Sequence, residues 1–557
     1  MNRKSISHLC LHLAAGILLL IACNSHPPTG NTSTSGLPQD VDSICGISVD
    51  SFNTWFSSGQ ATADGAVTPA NSVLFPHNDN CDFYQWAEHM FLWITSPDSA
   101  GYGGRGRVLG SPVFYTVVSS GDSLILKPHN RNDLIEAVSV LRKSGPNRLP
   151  VYSDHLGRLY EVMFHKPGEK PLIKNGKAVI KPTGLLHPDR VLQAFKTPTG
   201  IVYFDSNGVP VNTELDQATG DALMAANGSL VYYITFVNDM YAFFRTGVKH
   251  NALPDTTFPT TGTQRDAIVA YARAIGYQPP ADPNALAIEI KSSWVLADSL
   301  HDDAGKYITM DALVPTYTKY SDTTWIPFQH QKVRLALVGI HIVGSVAGHP
   351  EMIWSTFEHN GNTPDSAYRY EDNQYRIRTV PTDTTGPWLF SSAAGAPYNQ
   401  THIKATPTGD TLTAASPYTI SASNTLREFP FGVAFGRKPN QQDSDTTDAQ
   451  SNSELIGINN SVINKIPGND VRKNYHLIGA TWTQGGVAPD GSVYTYPDNT
   501  APGVSIGTSV LANSTMETYF QQTNFSCFSC HNGGNKLFPD SLSHIFSHMG
   551  PLYIMHK

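Results

Sequence analysis

The sequence predicts an α+β fold: a large strand-rich domain followed by a short helical C-terminal segment. Three observations carry that expectation. Gly (45) and Pro (38) are abundant while only 15% of residues are charged, which suits a loop-rich, strand-rich chain better than a helical bundle. Runs rich in β-branched and aromatic residues recur between turn residues through most of the chain. Helical periodicity is confined to a few stretches, one of them near the end. With 557 residues the chain can bury a sizeable core in one large or two medium domains.

Residues 1–22 read as an export signal, with Arg3 and Lys4 ahead of an apolar run at 9–22. That run is shorter than the ~20 apolar residues of a spanning helix. Leu20-Ile21-Ala22-Cys23 resembles a bacterial lipobox, so Cys23 is the expected lipidation site and the only membrane contact. No acidic cluster follows it, which points to the periplasmic side of a bacterial cell envelope. Residues 23–44 are rich in Pro, Gly, Ser and Thr and read as a flexible tether. The strand-rich domain is expected over 45–507. In an oxidising compartment Cys45 and Cys81 are expected to form a disulfide, with two buried thiols as the alternative. The net charge of −8 and the lack of a basic stripe exclude a nucleic-acid partner.

Within the domain, residues 81–93 read as a helix whose Phe83, Trp86, Met90 and Trp93 form one apolar face, either core or cofactor-pocket wall. The G-x-G-x-x-G at 101–106 follows a helix and precedes a strand. Dinucleotide binding needs the reverse order, so this is a loop. Strand-like runs follow at 113–118, 124–127, 159–164, 201–205 and 230–237, and helices at 238–245 and 264–275. Residues 286–295 alternate, with Glu289 and Lys291 expected as a salt-bridged pair on an exposed face. Residues 333–346 are apolar at both parities and predict a central strand covered on both sides. His341 lies in it, and His349, Glu351, Glu358 and His359 follow. Their spacing matches no defined metal pattern, so core and turn roles are expected, with a second metal or acid–base site as the alternative. Residues 437–453 read as a polar surface insertion and 474–482 as a buried strand.

Residues 508–557 contain Cys527-Phe528-Ser529-Cys530-His531, the C-x-x-C-H attachment pattern for c-type haem. Two thiols at this spacing form thioethers to one porphyrin, and the adjacent imidazole becomes the proximal iron ligand. Cys527, Cys530, His544 and His548 also read as C-x2-C-x13-H-x3-H, a zinc alternative that leaves His531 without a role. A redox dithiol lacks its βαβ setting. A helix is expected from Asp540 to Gly550, with Leu542, Ile545, Phe546 and Met549 on one face. His544 is the first candidate for distal ligand, Met549 the second and an open position the third. The segment is too short to bury a haem alone. It must dock on the large domain, with residues 81–93 or a helix at 511–520 as lid.

Residues 81–93, 288–295, 338–359, 511–519 and the haem motif with Leu542-Ser-His-Ile-Phe546 together resemble a family of exported bacterial proteins described as cytochrome-c-like. The resemblance implies a haem at Cys527, Cys530 and His531 and no substrate. The expected activity is electron transfer to a redox partner protein. The alternatives are a peroxidase-like oxidoreductase with a pocket in the large domain, and a ligand-binding envelope lipoprotein with accessory haem or zinc.

Overall fold

A computed structural model of the chain describes residues 36–553 except 99–100, 105, 121–122, 131–133, 141–146, 148, 150, 155–158, 167–168, 180–184, 186–187, 198–199, 212–214, 218–220, 392–395, 406–410, 435–445, 491–500, 520, 522–525 and 533–535. The export signal, Cys23 and most of the tether lie outside the described residues.

The β-branched runs pair into one large sheet. Its principal strands are β1 (Phe114–Ser120), β2 (Ser123–Pro128), β3 (Tyr232–Asn238), β4 (Ile288–Leu296), β5 (Thr309–Ser321), β6 (Thr324–Val346), β7 (His349–His359), β8 (Tyr475–Thr483) and β9 (Ser505–Val510). They lie in the order β2-β1-β3-β4-β6-β7-β8-β9, every neighbouring pair antiparallel, and shorter strands bring the sheet to fourteen. A separate six-stranded sheet spans residues 151–217.

One face of the large sheet is covered by α1 (Asn80–Thr95), whose N-cap Asp79 accepts the Cys81 and Asp82 N–H groups. Its aromatic stripe is core. Phe91 stacks on Phe357 of β7 and Phe83 on Trp482 of β8. Large side chains of alternating strand positions (Ile288, Ile290, Ile340, Ile342, Phe357) complete that layer. The opposite face carries α2 (Asp239–Lys249) and α3 (Gly262–Ala274) at one end, α3 opening with a Thr261–Gln264 capping box. The long α4 (Thr446–Ile463) packs beside α1. No helix among the described residues is long and apolar enough to cross a membrane.

The α+β expectation with a helical C-terminal segment is corrected here. The molecule is built on one antiparallel sheet with scattered helices, and its C-terminal part is mostly turns. Among the described residues there, two single turns, Cys527–Cys530 and Pro539–Leu542, are helical. The helix expected at 540–550 stops because the chain is drawn to the sheet edge. The Leu124 N–H donates to the His548 carbonyl (3.1 Å), and the Gly550 N–H donates to the Leu124 carbonyl (2.8 Å). The helix expected at 511–520 is replaced by turns, because the Asn513 side chain takes the Thr515 N–H and competes with helical bonding. The boundary expected at 507 falls inside β9.

The packed chain also begins before Cys45. Leu37 and Val41 are buried, and the Asn460 side-chain amide of α4 donates to the Pro38 and Val41 carbonyls at 2.6 and 2.8 Å. Cys45 and Cys81 are joined in a disulfide, with Cα atoms 5.0 Å apart, linking this segment to the start of α1. Of the polar insertion, residues 446–453 belong to α4 with Ser453 buried, and 437–445 lie outside the described residues.

Candidate functional site

The haem motif is a helical turn seated on the sheet face opposite α1. The His531 N–H donates to the Cys527 carbonyl at 3.0 Å, closing the turn. Phe528 is buried and Cys527 is half-exposed, and the side chains of Ser529 and Cys530 lie outside the described residues. The Trp354 ring of β7 lies beneath, 4.3 Å from the His531 ring and 5.8 Å from Phe528. Trp354 is itself fixed by donating Nε1–H to the Glu351 carbonyl at 2.9 Å.

His531 donates Nδ1–H to the Leu542 carbonyl at 2.7 Å. A carbonyl can only accept, so the bond sets the tautomer: Nδ1 carries the proton and Nε2 the lone pair. A backbone carbonyl behind one ring nitrogen is the usual support of a metal-ligating histidine. The residues present therefore fit a c-type haem. Cys527 and Cys530 would hold the porphyrin and His531 the iron, which would supply one-electron redox chemistry.

His544 stacks on His531, ring centres 4.1 Å apart and planes within 13°. A ligand opposite His531 must lie along the plane of that ring, whereas a stacked ring lies beside it. Met549 is buried among the aromatic residues of α2. Of the two distal candidates, His544 thus lies beside the His531 ring and Met549 lies in the aromatic core. His548, the further zinc candidate, is half-exposed in the turn region. Among the described residues no group of three or more His, Cys, Asp or Glu is arranged to hold a metal ion.

Two sets of contacts hold the C-terminal part in place. At one end Leu542, Phe546 and Met549 pack against Tyr241, Phe244 and Phe258. Buried Arg245 donates to the Ser547 and Met549 carbonyls at 3.1 and 2.6 Å and lies 4.9 Å from the Phe546 ring centre. Tyr241 donates to Ser543 Oγ (2.8 Å), and Ser543 donates to Glu289 (2.5 Å). Glu289 and Lys291 are thus not an exposed pair, because Tyr241 and Ser543 bury Glu289 while Lys291 stays half-exposed. Burial pushes the Glu289 carboxyl above its ordinary range, and the Lys291 ammonium pulls partly against that.

At the other end residues 513–517 are bonded to the strands. Ser514 donates its N–H (2.7 Å) and its hydroxyl to buried Glu358, which also pairs with Arg427 at 2.7 Å. Asn513 donates to Thr356 Oγ1 at 2.8 Å, and Tyr233 donates to the Thr515 carbonyl at 3.0 Å. Gly339 permits this approach: a Cβ there would come within 2.6–2.8 Å of Thr515, Ser293 and Asn513 side-chain oxygens.

Between these ends the sheet is partly open. Thr235, Lys291, His341 and Trp354 are half-exposed, while Tyr233, Val237, Glu289, Ser293, Val343 and Thr356 on the same face are buried. Register pairs Thr235 with Lys291 and Lys291 with His341, and places His341 one diagonal step from Trp354. His341 donates Nε2–H to both Glu517 oxygens at 3.0 and 3.1 Å. The other histidines of this region are elsewhere. His349 bonds to Glu351 at 2.8 Å, and His359 stacks on Tyr307 at 3.8 Å. The sequence signal for the open patch was the charge at 289 and 291 within an apolar strand.

No protein-family model matches the chain, and no curated protein and no solved structure is detectably similar to it, so the likeness to cytochrome-c-like exported proteins rests on the motifs themselves.

Proposed function

We propose that the chain carries one covalent c-type haem on Cys527, Cys530 and His531 and passes electrons to or from a redox partner protein, anchored to a bacterial envelope by a lipid on Cys23. The observation that supports this most is the His531 Nδ1–H bond to the Leu542 carbonyl. It gives the histidine of a C-x-x-C-H turn the tautomer and support that an iron ligand needs. His531 would bind the iron, Trp354 would fix the turn against the sheet, and the buried Leu542–Leu552 contacts would exclude water from one side.

The test is expression in cells able to attach haem, followed by the pyridine haemochrome spectrum and the mass of the denatured chain. One covalent haem is expected in the wild type and none after Cys527→Ala with Cys530→Ala. A wild-type chain without covalent haem refutes the proposal, and metal analysis then decides on zinc at Cys527, Cys530, His544 and His548. A haem-dependent oxidoreductase is the second reading, favoured by the half-exposed polar patch on the sheet beside the motif.

A further inference from the structure

We infer that Lys291 and His341 form a carboxylate-binding pair at the edge of the haem-attachment site. Which carboxylate they meet rests on the haem reading above; the pair itself rests on the sheet.

The two side chains are direct cross-strand partners on β4 and β6, so their Cβ atoms are ~5 Å apart on one face. Lys291 is half-buried, and among the described residues no side chain is ion-paired with its ammonium. A half-buried cation in that position is stabilised by an anion. Glu289, two residues along the strand, is already held by Ser543 and Tyr241. His341 has Nε2–H committed to the two oxygens of Glu517, and among the described residues nothing is bonded to its Nδ1. With Nε2 so anchored, Nδ1 is a second donor beside the Lys291 ammonium whenever the ring carries both protons. Glu517 is in turn fixed by the Asn513 N–H at 3.0 Å, so the donor is held in place.

The position is informative. Lys291 and His341 are half-exposed where the surrounding face is buried, and Trp354, one diagonal step away, touches His531. Two carboxylates could reach the pair: a propionate of the haem itself, or a free small carboxylate entering beside it. Both require the same two donors.

The experiment compares wild-type holoprotein with Lys291→Met, His341→Ala and the milder Glu517→Gln, with the exposed His330→Ala as control. Reduction potentials and acetate titrations followed by the visible spectrum are measured on each, after haemochrome analysis has established equal haem content. If the pair holds a propionate, Lys291→Met and His341→Ala lower the potential by a tenfold change in the oxidised-to-reduced ratio, about 59 mV for one electron. Acetate then has no effect on any variant. If the pair takes a free carboxylate, acetate perturbs the wild type and its affinity falls at least tenfold in Lys291→Met and His341→Ala. Unchanged potential and unchanged acetate response in both variants overturn the inference. Wild type without covalent haem overturns the haem reading instead. Acetate titration of that apoprotein, followed by the nuclear magnetic resonance of the His341 ring, then decides the pair alone: a shift lost in Lys291→Met supports it, and no shift refutes it.

Discussion

Arg427→Met tests how the C-terminal chain is fastened to the sheet. Arg427 and Glu358 are both buried, with Nη2 and Oε2 2.7 Å apart, and Glu358 also receives the Ser514 N–H, the Ser514 hydroxyl and the Asn362 amide. Burial, the largest single influence, works against the charged Glu358 carboxylate, but the Arg427 guanidinium and the two Ser514 bonds together outweigh it and hold the group below its ordinary range. Removing the guanidinium leaves the carboxylate with its burial cost and without its main compensation. Breaking such a pair costs about 3–5 kcal/mol. The loss concentrates on Ser514, whose bonds to Glu358 weaken as that carboxyl takes up a proton. Hydrogen exchange of a peptide covering residues 511–519 should therefore quicken by about two orders of magnitude or more, since ~1.4 kcal/mol is tenfold. Arg427 also pairs with Asp365, so combining Arg427→Met with Glu358→Gln removes one of the two orphaned carboxyls, the one that holds Ser514, and should restore part of the protection. Exchange in Arg427→Met equal to wild type would falsify the claim that this pair anchors the segment. A double variant worse than Arg427→Met alone would show that the pair is not the coupled unit.

The remaining predictions concern groups that burial has displaced and the ring under the motif. Glu88 is buried on α1, its Oε1 has no partner among the described residues, and burial raises its carboxyl well above its ordinary value. Its contribution is full below the unfolded pKa and is lost as pH rises through the folded one. Glu88→Gln should thus gain on wild type in urea melts at pH 8 and show no gain at pH 4. His476 is lowered to about 3, first by burial and then by Arg427, so its contribution is present above pH 6.5 and is lost as pH falls toward 3. Between those limits the stability of wild type relative to His476→Gln should fall by at most ~1.4 kcal/mol per pH unit, and a pH-independent difference would refute the assignment. Trp354→Ala should raise hydrogen exchange across residues 526–532 while α1 keeps its protection. Equal exchange in both regions would mean that Trp354 does not seat the motif.

Much of the sheet was legible because its signals are local. The doubly apolar run at 333–346 lies within β6, and the helix at 81–93 extends only a little further, over Asn80–Thr95. The C-x-x-C-H turn is a local signal of the same kind, five adjacent residues. The C-terminal part was not legible. Its apolar spacing at Leu542, Phe546 and Met549 suits a helix, and the residues are buried as a set, yet the chain forms turns that end in a bridge to Leu124. The partner is more than four hundred residues away in sequence, and local periodicity holds no trace of it. The same cause misassigned Glu289 and Lys291. Alternation correctly gave them one common face, but Glu289 is covered there by a segment from the C-terminal part of the chain.

That covering arrangement bears on how a haem could be attached at all. The sheet face beneath the motif is assembled from β3, β4, β6 and β7, whereas the thiols lie beyond β9, at the end of the chain. Attachment to an unfolded chain leaves the porphyrin exposed until residues 511–519 and 542–552 dock. Attachment to a folded chain requires the motif to lift from Trp354. The second route is the costlier, because Arg245, Tyr241 and Ser543 hold the following turn to buried partners. On the proposed reading, a haem would therefore be attached before the segment docks. Loss of both motif cysteines would then leave the α1 side of the sheet intact and loosen the opposite face, where Thr235, Lys291 and His341 already stand half-exposed.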